Sequence, residues 1–442
     1  MHSLVRRVPA DVFTPIGAYL ALVRNGPACL LESVEHGGRI SRYSFLGVDY
    51  LDARAFEGGT ALFDEIRAWI APHRIAAGDG ALGGALVAFS YDAARPFAHL
   101  ADRVQDVPRM PAAYVAIPAS WLIFDHFTDT LSIWSCGADA GAVERRIDGY
   151  VDRLQRSMPS LPGDVRAAGA VCQSIERDRY LALVDAVKKH VYDGDVYQLQ
   201  LGIRFGTALE GDALDLYRAL RRRNASPYMF YVDAPFGTLL GASPEFLVRL
   251  EGHRARIRPL AGTRPRGEND DDDARIAQEL LSNEKERAEH VMLVDLGRND
   301  LGSVCDVGSI DVDELLQVER YSHVMHIVSD VIGRLRSGCD ALDLFRAGFP
   351  AGTVTGTPKM RAMQIIDELE PVTRGFYAGS VGRWSYGGDF DSCITLRSVH
   401  VHGGRAWWQA SAGIVADSDP AAEYDEILGK TRIVREVLGV DA

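Results

Sequence analysis

Lysine is almost missing from this chain of 442 residues, and arginine carries nearly all of its positive charge. That skew reads as coding bias, not as function. Positive charge as a whole is also outweighed, leaving a formal net charge of −13. The balance argues against a nucleic-acid partner, which needs a clustered basic face. It leaves room for an anionic small molecule held by a locally positive pocket or a metal ion. Cysteine is sparse: Cys29, Cys136, Cys172, Cys305, Cys339 and Cys393 are far apart and form no C-x-x-C pair. Such spacing suits reduced thiols in a cytoplasmic protein, not a disulfide frame or a zinc site. Long apolar runs are missing too. The run Leu82 to Tyr91 is too short to span a bilayer, and no membrane partner is expected. Arg6, Arg7 and Pro9 break any secretory signal. There is no internal repeat.

What is present is an ordinary globular composition, 47% hydrophobic and 25% charged. A Pro/Gly/Ala-rich stretch over 156–173 reads as a linker or long loop between a first part, 1–155, and a denser second part, 174–440. Tyr180, Val184, Val187 and Val191 recur at helical spacing, and Gly194 ends that helix. From Tyr197 to Phe205 apolar residues alternate with Gln198, Gln200, Gly202 and Arg204, the period of a half-buried strand. Short runs at 228–232, 238–240, 246–250 and 255–257 predict a strand meander. Helices are expected over 273–296, 314–336, 340–347 and 358–368, strands over 378–386, 392–401 and 405–415, and a last helix over 420–438. Strand blocks followed by helix blocks predict an α+β layered fold, not a βαβ alternation.

Two Glu-x-x-Glu pairs, Glu286/Glu289 and Glu423/Glu426, fall on predicted helices. Residues three apart share a helix face, where like charges repel. Each pair is either a solvated acidic face or part of a Mg²⁺ site, since magnesium needs only one or two protein carboxylates. Arg397 sits mid-strand by its pattern, where a charge needs a partner. That partner is a protein acid or a substrate carboxylate, either of which fits the guanidinium fork. The loops 259–267 and 352–359 are rich in glycine and hydroxyls. The second is not a phosphate loop, because Thr357-Pro358-Lys359-Met360 breaks the G-x-x-x-x-G-K-[ST] spacing. His323 and His326 lack a nearby third metal ligand, so a role in proton transfer fits one of them better. The run Asp270–Asp273 reads as a solvated helix start.

Taken together, these segments resemble the chorismate-utilising enzymes. The likeness rests on Pro259-Leu-Ala-Gly-Thr-Arg-Pro-Arg-Gly267, on Lys285 through Gly302, and on Val318-Glu-Arg-Tyr-Ser-His-Val-Met-His326. It continues through Phe349-Pro-Ala-Gly-Thr353, Pro358 through Pro371, and Gly413-Ile-Val-Ala-Asp-Ser-Asp-Pro420. It is dense over 175–440 and thinner before that. Leu30-Leu-Glu-Ser33, Arg42-Tyr-Ser-Phe-Leu-Gly47 and Asn224 through Phe230 are similar to the tryptophan-feedback segments of the anthranilate synthase large subunits within that family.

The resemblance implies an α+β sandwich of antiparallel sheets flanked by helices, with the active site between the sheets. It implies a Mg²⁺ cofactor at Glu289 and Glu426, with Glu286 and Glu423 nearby. It places Gly262, Thr263, Thr353, Ser411, Ala412, Gly413 and Lys430 around the substrate, and Tyr377 and Arg397 at the enolpyruvyl carboxylate. Glu245 would protonate the departing C4 hydroxyl, and His326 would move a proton as pyruvate leaves. Leu31, Glu32, Ser33, Tyr43, Pro227, Tyr228 and Met229 would bind tryptophan. The implied reaction joins chorismate and ammonia into anthranilate, a step of tryptophan biosynthesis, with ammonia from a separate glutamine amidotransferase subunit. Alternatives are aminodeoxychorismate synthase, 2-amino-2-deoxyisochorismate synthase, or a non-catalytic regulator binding chorismate or tryptophan. Gln198 stands where water-adding relatives carry a lysine, and Ala261 where many aminodeoxychorismate synthases do. Ser411 departs from the usual glycine, and Gly429 from the usual asparagine.

Overall fold

The computed structural model describes residues 1–23, 26–34, 42–75, 81–100, 109–157, 160–320 and 324–440. Its strands form two antiparallel arms that share one long strand, Ala113–Asp125. Along the first arm the order is His2–Pro9, Thr130–Gly137, Ala113–Asp125, Tyr43–Phe56, Cys29–Glu32, Tyr228–Ala234, Gly237–Ser243, Ser398–His402, Arg405–Ile414 and Gln198–Glu210. Along the second it is Ala113–Asp125, Gly84–Phe89, Ser380–Ser385, Phe390–Ile394, Phe246–Glu251, Arg254–Ile257 and Val324–Arg334. The last of these also pairs with Leu260–Pro265 and Asp311–Arg320.

Three of the hydrophobic cores among the described residues follow from this arrangement. One packs helices Ala140–Arg156, Arg177–Tyr192 and Pro420–Val437 on the first arm. Another packs helices Leu62–Ile70 and Ala341–Gly348 on the second. Between the arms lies a third, in which Trp121, Phe230 and Cys29 meet Leu86, Val381 and Cys393. This is the layered α+β sandwich expected. Strands from before residue 156 pair directly with strands from after it, Cys29–Glu32 with Tyr228–Ala234 and Gly84–Phe89 with Ser380–Ser385.

Four local expectations are corrected. The helix expected over 314–336 is a pair of antiparallel strands, Asp311–Arg320 and Val324–Arg334. Residues Ile327 to Val331 are buried on both faces, which erases the alternation that marks a strand. Its partner is irregular between Asp313 and Gln317, where Glu314 and Leu316 have φ of 52° and 54°. His323 lies outside the described residues. The helix expected over 273–296 is two, Asp270–Ser282 and Glu284–Gly302, joined at Asn283, whose side chain caps the second. Arg397 is not mid-strand; it sits in a bend between two strands with φ 47°. The strand Gln198–Glu210 is buried on both faces over its first six residues, not half-buried.

Candidate active site

The two arms open onto a cleft of about 860 Å³. The strand Gln198–Glu210 sends Gln198 and Gln200 into it, because its opposite face carries Leu199, Leu201 and Ile203 into the core. The helix Glu284–Gly302 contributes Lys285, Glu286 and Glu289, and the helix Pro420–Val437 contributes Glu423, Glu426 and Lys430. Gly262, Thr263, His326, Thr353, Arg397 and Gly413 complete the wall among the expected residues. The cleft thus gathers segments more than two hundred residues apart.

Its charges are only partly paired. Glu286 accepts from Arg264 at 3.0 Å, and Glu426 pairs with Lys430 at 2.7 Å. Glu289 accepts from the Gln198 amide at 3.2 Å. Burial pushes the Glu289 carboxyl up; the Gln198 bond opposes this, and Glu286 and Glu426 add to it. Burial likewise raises Glu423, with Ser418 opposing and Glu426 adding. Among the described residues no three His, Cys, Asp or Glu side chains cluster tightly enough to enclose a metal by themselves. Carboxylates gathered on one cleft wall suit a hard cation that takes one or two of them and fills its shell with water and ligand oxygens. Glu289 and Glu426 fit that demand.

Arg397 faces this acidic wall without an ion-pair partner among the described residues, and burial pushes its guanidinium below the usual range. A buried cation in this state awaits a bidentate anion. His326 lies close enough to feel it. Burial lowers the imidazole, the Gly262 bond opposes, and Arg397 lowers it further. His326 Nδ1 is 3.1 Å from the Gly262 carbonyl oxygen and 3.1 Å from the Thr263 hydroxyl. A carbonyl only accepts, so Nδ1 carries the proton and the basic lone pair sits on Nε2.

Glu245 does not line the cleft: it lies behind Thr353, which does, and borders a separate small pocket, 8% exposed. Burial pushes its carboxyl up to about 8, against the Thr353 hydroxyl, which donates to it at 3.3 Å. A carboxyl protonated at neutral pH is a ready general acid. Tyr377, Ser411 and Ala412 are buried beside the cleft and do not line it. Tyr377 donates to Ser411 instead, at 2.8 Å, and Lys430 donates to the Ser411 carbonyl at 2.8 Å. Gln200, Asn224, Arg264 and Lys285 line the cleft without having been singled out from the sequence. Gln200 shares the face of Gln198 by period two, a signal that was available. Lys359, in the loop that mimics a phosphate site, pairs with Asp300 at 2.9 Å.

A second pocket, of about 370 Å³, lies between the arms. Leu31, Glu32, Ser33, Tyr43, Pro227, Tyr228 and Met229 all line it, as do Arg249, Arg383 and Asp391. Glu32 is fixed by two bonds of 3.0 Å from Arg221 and one of 2.6 Å from Tyr217. Tyr228 donates to Asp391 at 3.0 Å.

This fold, with an acid-walled cleft between its arms, is that of the chorismate binding enzymes; residues 41–436 match that family, and the chain belongs to it. Among its relatives, anthranilate synthase component 1 of Thermus thermophilus is 41% identical over 96% of this chain and 95% of its own. Aminodeoxychorismate synthase component 1 of Bacillus subtilis is 40% identical over 80% of this chain and 77% of its own. Of solved structures, anthranilate synthase component I from Streptococcus pneumoniae TIGR4 superposes with a TM-score of 0.82 at 30% identity, covering 97% of this chain and 99% of that one.

Proposed function

We propose that this chain converts chorismate and ammonia to anthranilate and pyruvate. The observation that supports the proposal is a neutral histidine and an arginine without an ion-pair partner among the described residues in one cleft, with a carboxyl protonated at neutrality directly behind its Thr353. Chorismate carries two carboxylates and a hydroxyl that must leave. Arg397 binds one carboxylate. Glu289 and Glu426 would hold Mg²⁺, which supplies positive charge to the other carboxylate and steadies charge that develops on the ring. Hydroxide is a poor leaving group, so Glu245 gives its proton to the C4 hydroxyl and water departs. Ammonia adds at C2. His326 Nε2 then takes a ring proton as pyruvate is eliminated and the ring becomes aromatic.

Ala261 and Gln198 support direct attack by ammonia, since neither offers a lysine nucleophile or a lysine base beside Gly262 and Glu289. A separate glutaminase supplies the ammonia. None of the six cysteines stands in a G-x-C-x-G setting, and the relatives' names describe them as one component of a larger enzyme. Tryptophan occupies the second pocket as an inhibitor, which fits its apolar strands rimmed by fixed charges. The setting is cytoplasmic, in line with reduced, mostly buried thiols. No helix among the described residues is long and apolar enough to cross a membrane.

The likeness to the Bacillus subtilis protein favours a second reading, in which the reaction stops at an amino intermediate and pyruvate stays attached. Purified protein with chorismate, Mg²⁺ and ammonium decides between them. Anthranilate fluorescence and pyruvate release rising together support the first reading. Chorismate consumed without pyruvate establishes the second, and no consumption leaves a binding protein.

A further inference from the structure

One feature of the cleft is peculiar to this chain's own residues. Tyr377 donates its hydroxyl proton to Ser411 Oγ at 2.8 Å, and Ser411 in turn donates to Gln200 Oε1 at 2.8 Å. All three side chains are at least nine-tenths buried, at 8%, 3% and 8% exposure, so each hydrogen bond is made away from bulk water. A carboxamide whose oxygen is held this way cannot turn over, and its nitrogen must point the other way. The geometry at Gly413 shows where. A Cβ built there would lie 2.9 Å from Gln200 Nε2 and 2.7 Å from Gln198 Nε2. The two amide nitrogens therefore converge on the bare backbone of Gly413, which lines the cleft. Gln198 Nε2 already donates to Glu289. Gln200 Nε2 meets no protein acceptor among the described residues, and Gln200 lines the cleft. A donor held in that state is a binding group for an acceptor brought by a ligand.

We propose that Ser411 is a positioning residue for substrate binding: it commits the Tyr377 hydroxyl to itself and locks the Gln200 carboxamide so that Nε2 meets an anionic oxygen of the substrate beside Gly413. Tyr377 then acts through Ser411 and Gln200, not by touching the substrate. The strand that carries Ser411 is tied to the carboxylate side of the cleft as well, because Lys430 donates to the Ser411 carbonyl and pairs with Glu426. A residue with no hydroxyl at 411 leaves the Gln200 amide able to flip. In half of its orientations it would present oxygen to an anion.

The inference rests on chorismate being the ligand, so the test reads binding and turnover separately. Chorismate affinity is measured by calorimetry, with KM and kcat alongside, for wild type, Ser411→Ala, Ser411→Thr, Gln200→Leu and the Ser411→Ala/Gln200→Leu pair. The loss of one oriented hydrogen bond predicts a Kd and KM raised roughly three- to tenfold in Ser411→Ala, with kcat within about twofold. Ser411→Thr restores both, and the double variant is no worse than Gln200→Leu alone. An unchanged affinity in Ser411→Ala, a fall in kcat without a rise in KM, or additive losses in the double variant would overturn it. Should Ser411→Ala fail to fold, Gln200→Leu carries the test alone: an affinity equal to wild type would overturn the proposal. Wild-type protein that binds chorismate but does not convert it leaves the affinity comparison intact and sinks the reaction instead.

Discussion

His326 Nδ1 stands 3.1 Å from the carbonyl oxygen of Gly262, and that contact puts the proton of the neutral ring on Nδ1. Burial and Arg397 hold the imidazole below its ordinary range, so it stays neutral to lower pH than a solvated histidine. The acid limb of kcat/KM should therefore fall below pH ~6.5, the value of an unperturbed histidine. His326→Ala should lower kcat by roughly 10²- to 10⁴-fold, the usual range for a lost general base, with a smaller change in KM. A pH–rate profile of the wild type and single-turnover kinetics of the variant check both.

Glu245 shapes the alkaline limb. Its carboxyl, pushed up to about 8, donates a proton only while protonated, so turnover should decline as pH rises through that value. The same shift has a stability sign. A folded-state value above the unfolded one contributes stability that is complete below about 4.5 and is lost as pH rises through about 8. Against a group that never ionises, wild type carries a penalty that grows across that window, on the order of 3 kcal/mol by neutral pH. Glu245→Gln should abolish turnover yet raise Tm at pH 7, with little change at pH 4. Thermal melts at the two pH values report this.

Arg397 offers a parallel case with the charge reversed. It is a buried cation without an ion-pair partner among the described residues, and burial lowers its guanidinium. Arg397→Gln should raise KM for chorismate by about 10- to 100-fold, as expected for a lost charge-assisted pair. It should leave Tm unchanged or higher. Calorimetric binding with and without chorismate separates the two effects.

Chelation should stop turnover while leaving the fold intact, because Glu289 and Glu426 belong to two packed helices that the cleft does not hold together. Circular dichroism before and after chelator, with activity restored by added Mg²⁺, checks it. Glu289→Gln should lower the affinity for Mg²⁺ and remove the repulsion that Glu286 and Glu426 impose.

In the second pocket, Ser33→Leu should weaken the proposed inhibition by tryptophan at least about tenfold by filling the slot, since Ser33 lines that pocket and not the cleft. Turnover without tryptophan should stay within about twofold. Equal loss of both would remove the regulatory role.

The sequence made the cleft legible where chemistry and period coincide. Two Glu-x-x-Glu pairs and one arginine in an apolar run were marked by residue type and spacing, seven residues of the second pocket by family resemblance alone, and the structure brings each group together. What escaped has physical reasons. Val324–Arg334 is buried on both faces by neighbours far away in sequence, so it lacks the alternation that identifies a strand. Arg397 looked like a strand residue because its neighbours are apolar, but its positive φ is imposed by the turn between two pairings. Arg264 and Lys285 gain meaning only from the carboxylates that the fold sets opposite them.

The hairpin of Tyr228–Ala234 and Gly237–Ser243 runs from one pocket to the other. Tyr228, in the wall of the second pocket, pairs with Ser243, whose hydroxyl clasps the backbone of Glu245 on both sides. On the proposed reading, a ligand that moves Tyr228 would press through Ser243 on Glu245, the proposed proton donor. The traffic runs both ways. Whatever factor an occupant of the second pocket takes from chorismate affinity, chorismate must take from that occupant's own. On the proposed reading, with tryptophan in the second pocket, a cell rich in chorismate would blunt its own feedback signal, and the set point of inhibition would follow the ratio of the two ligands instead of the level of either.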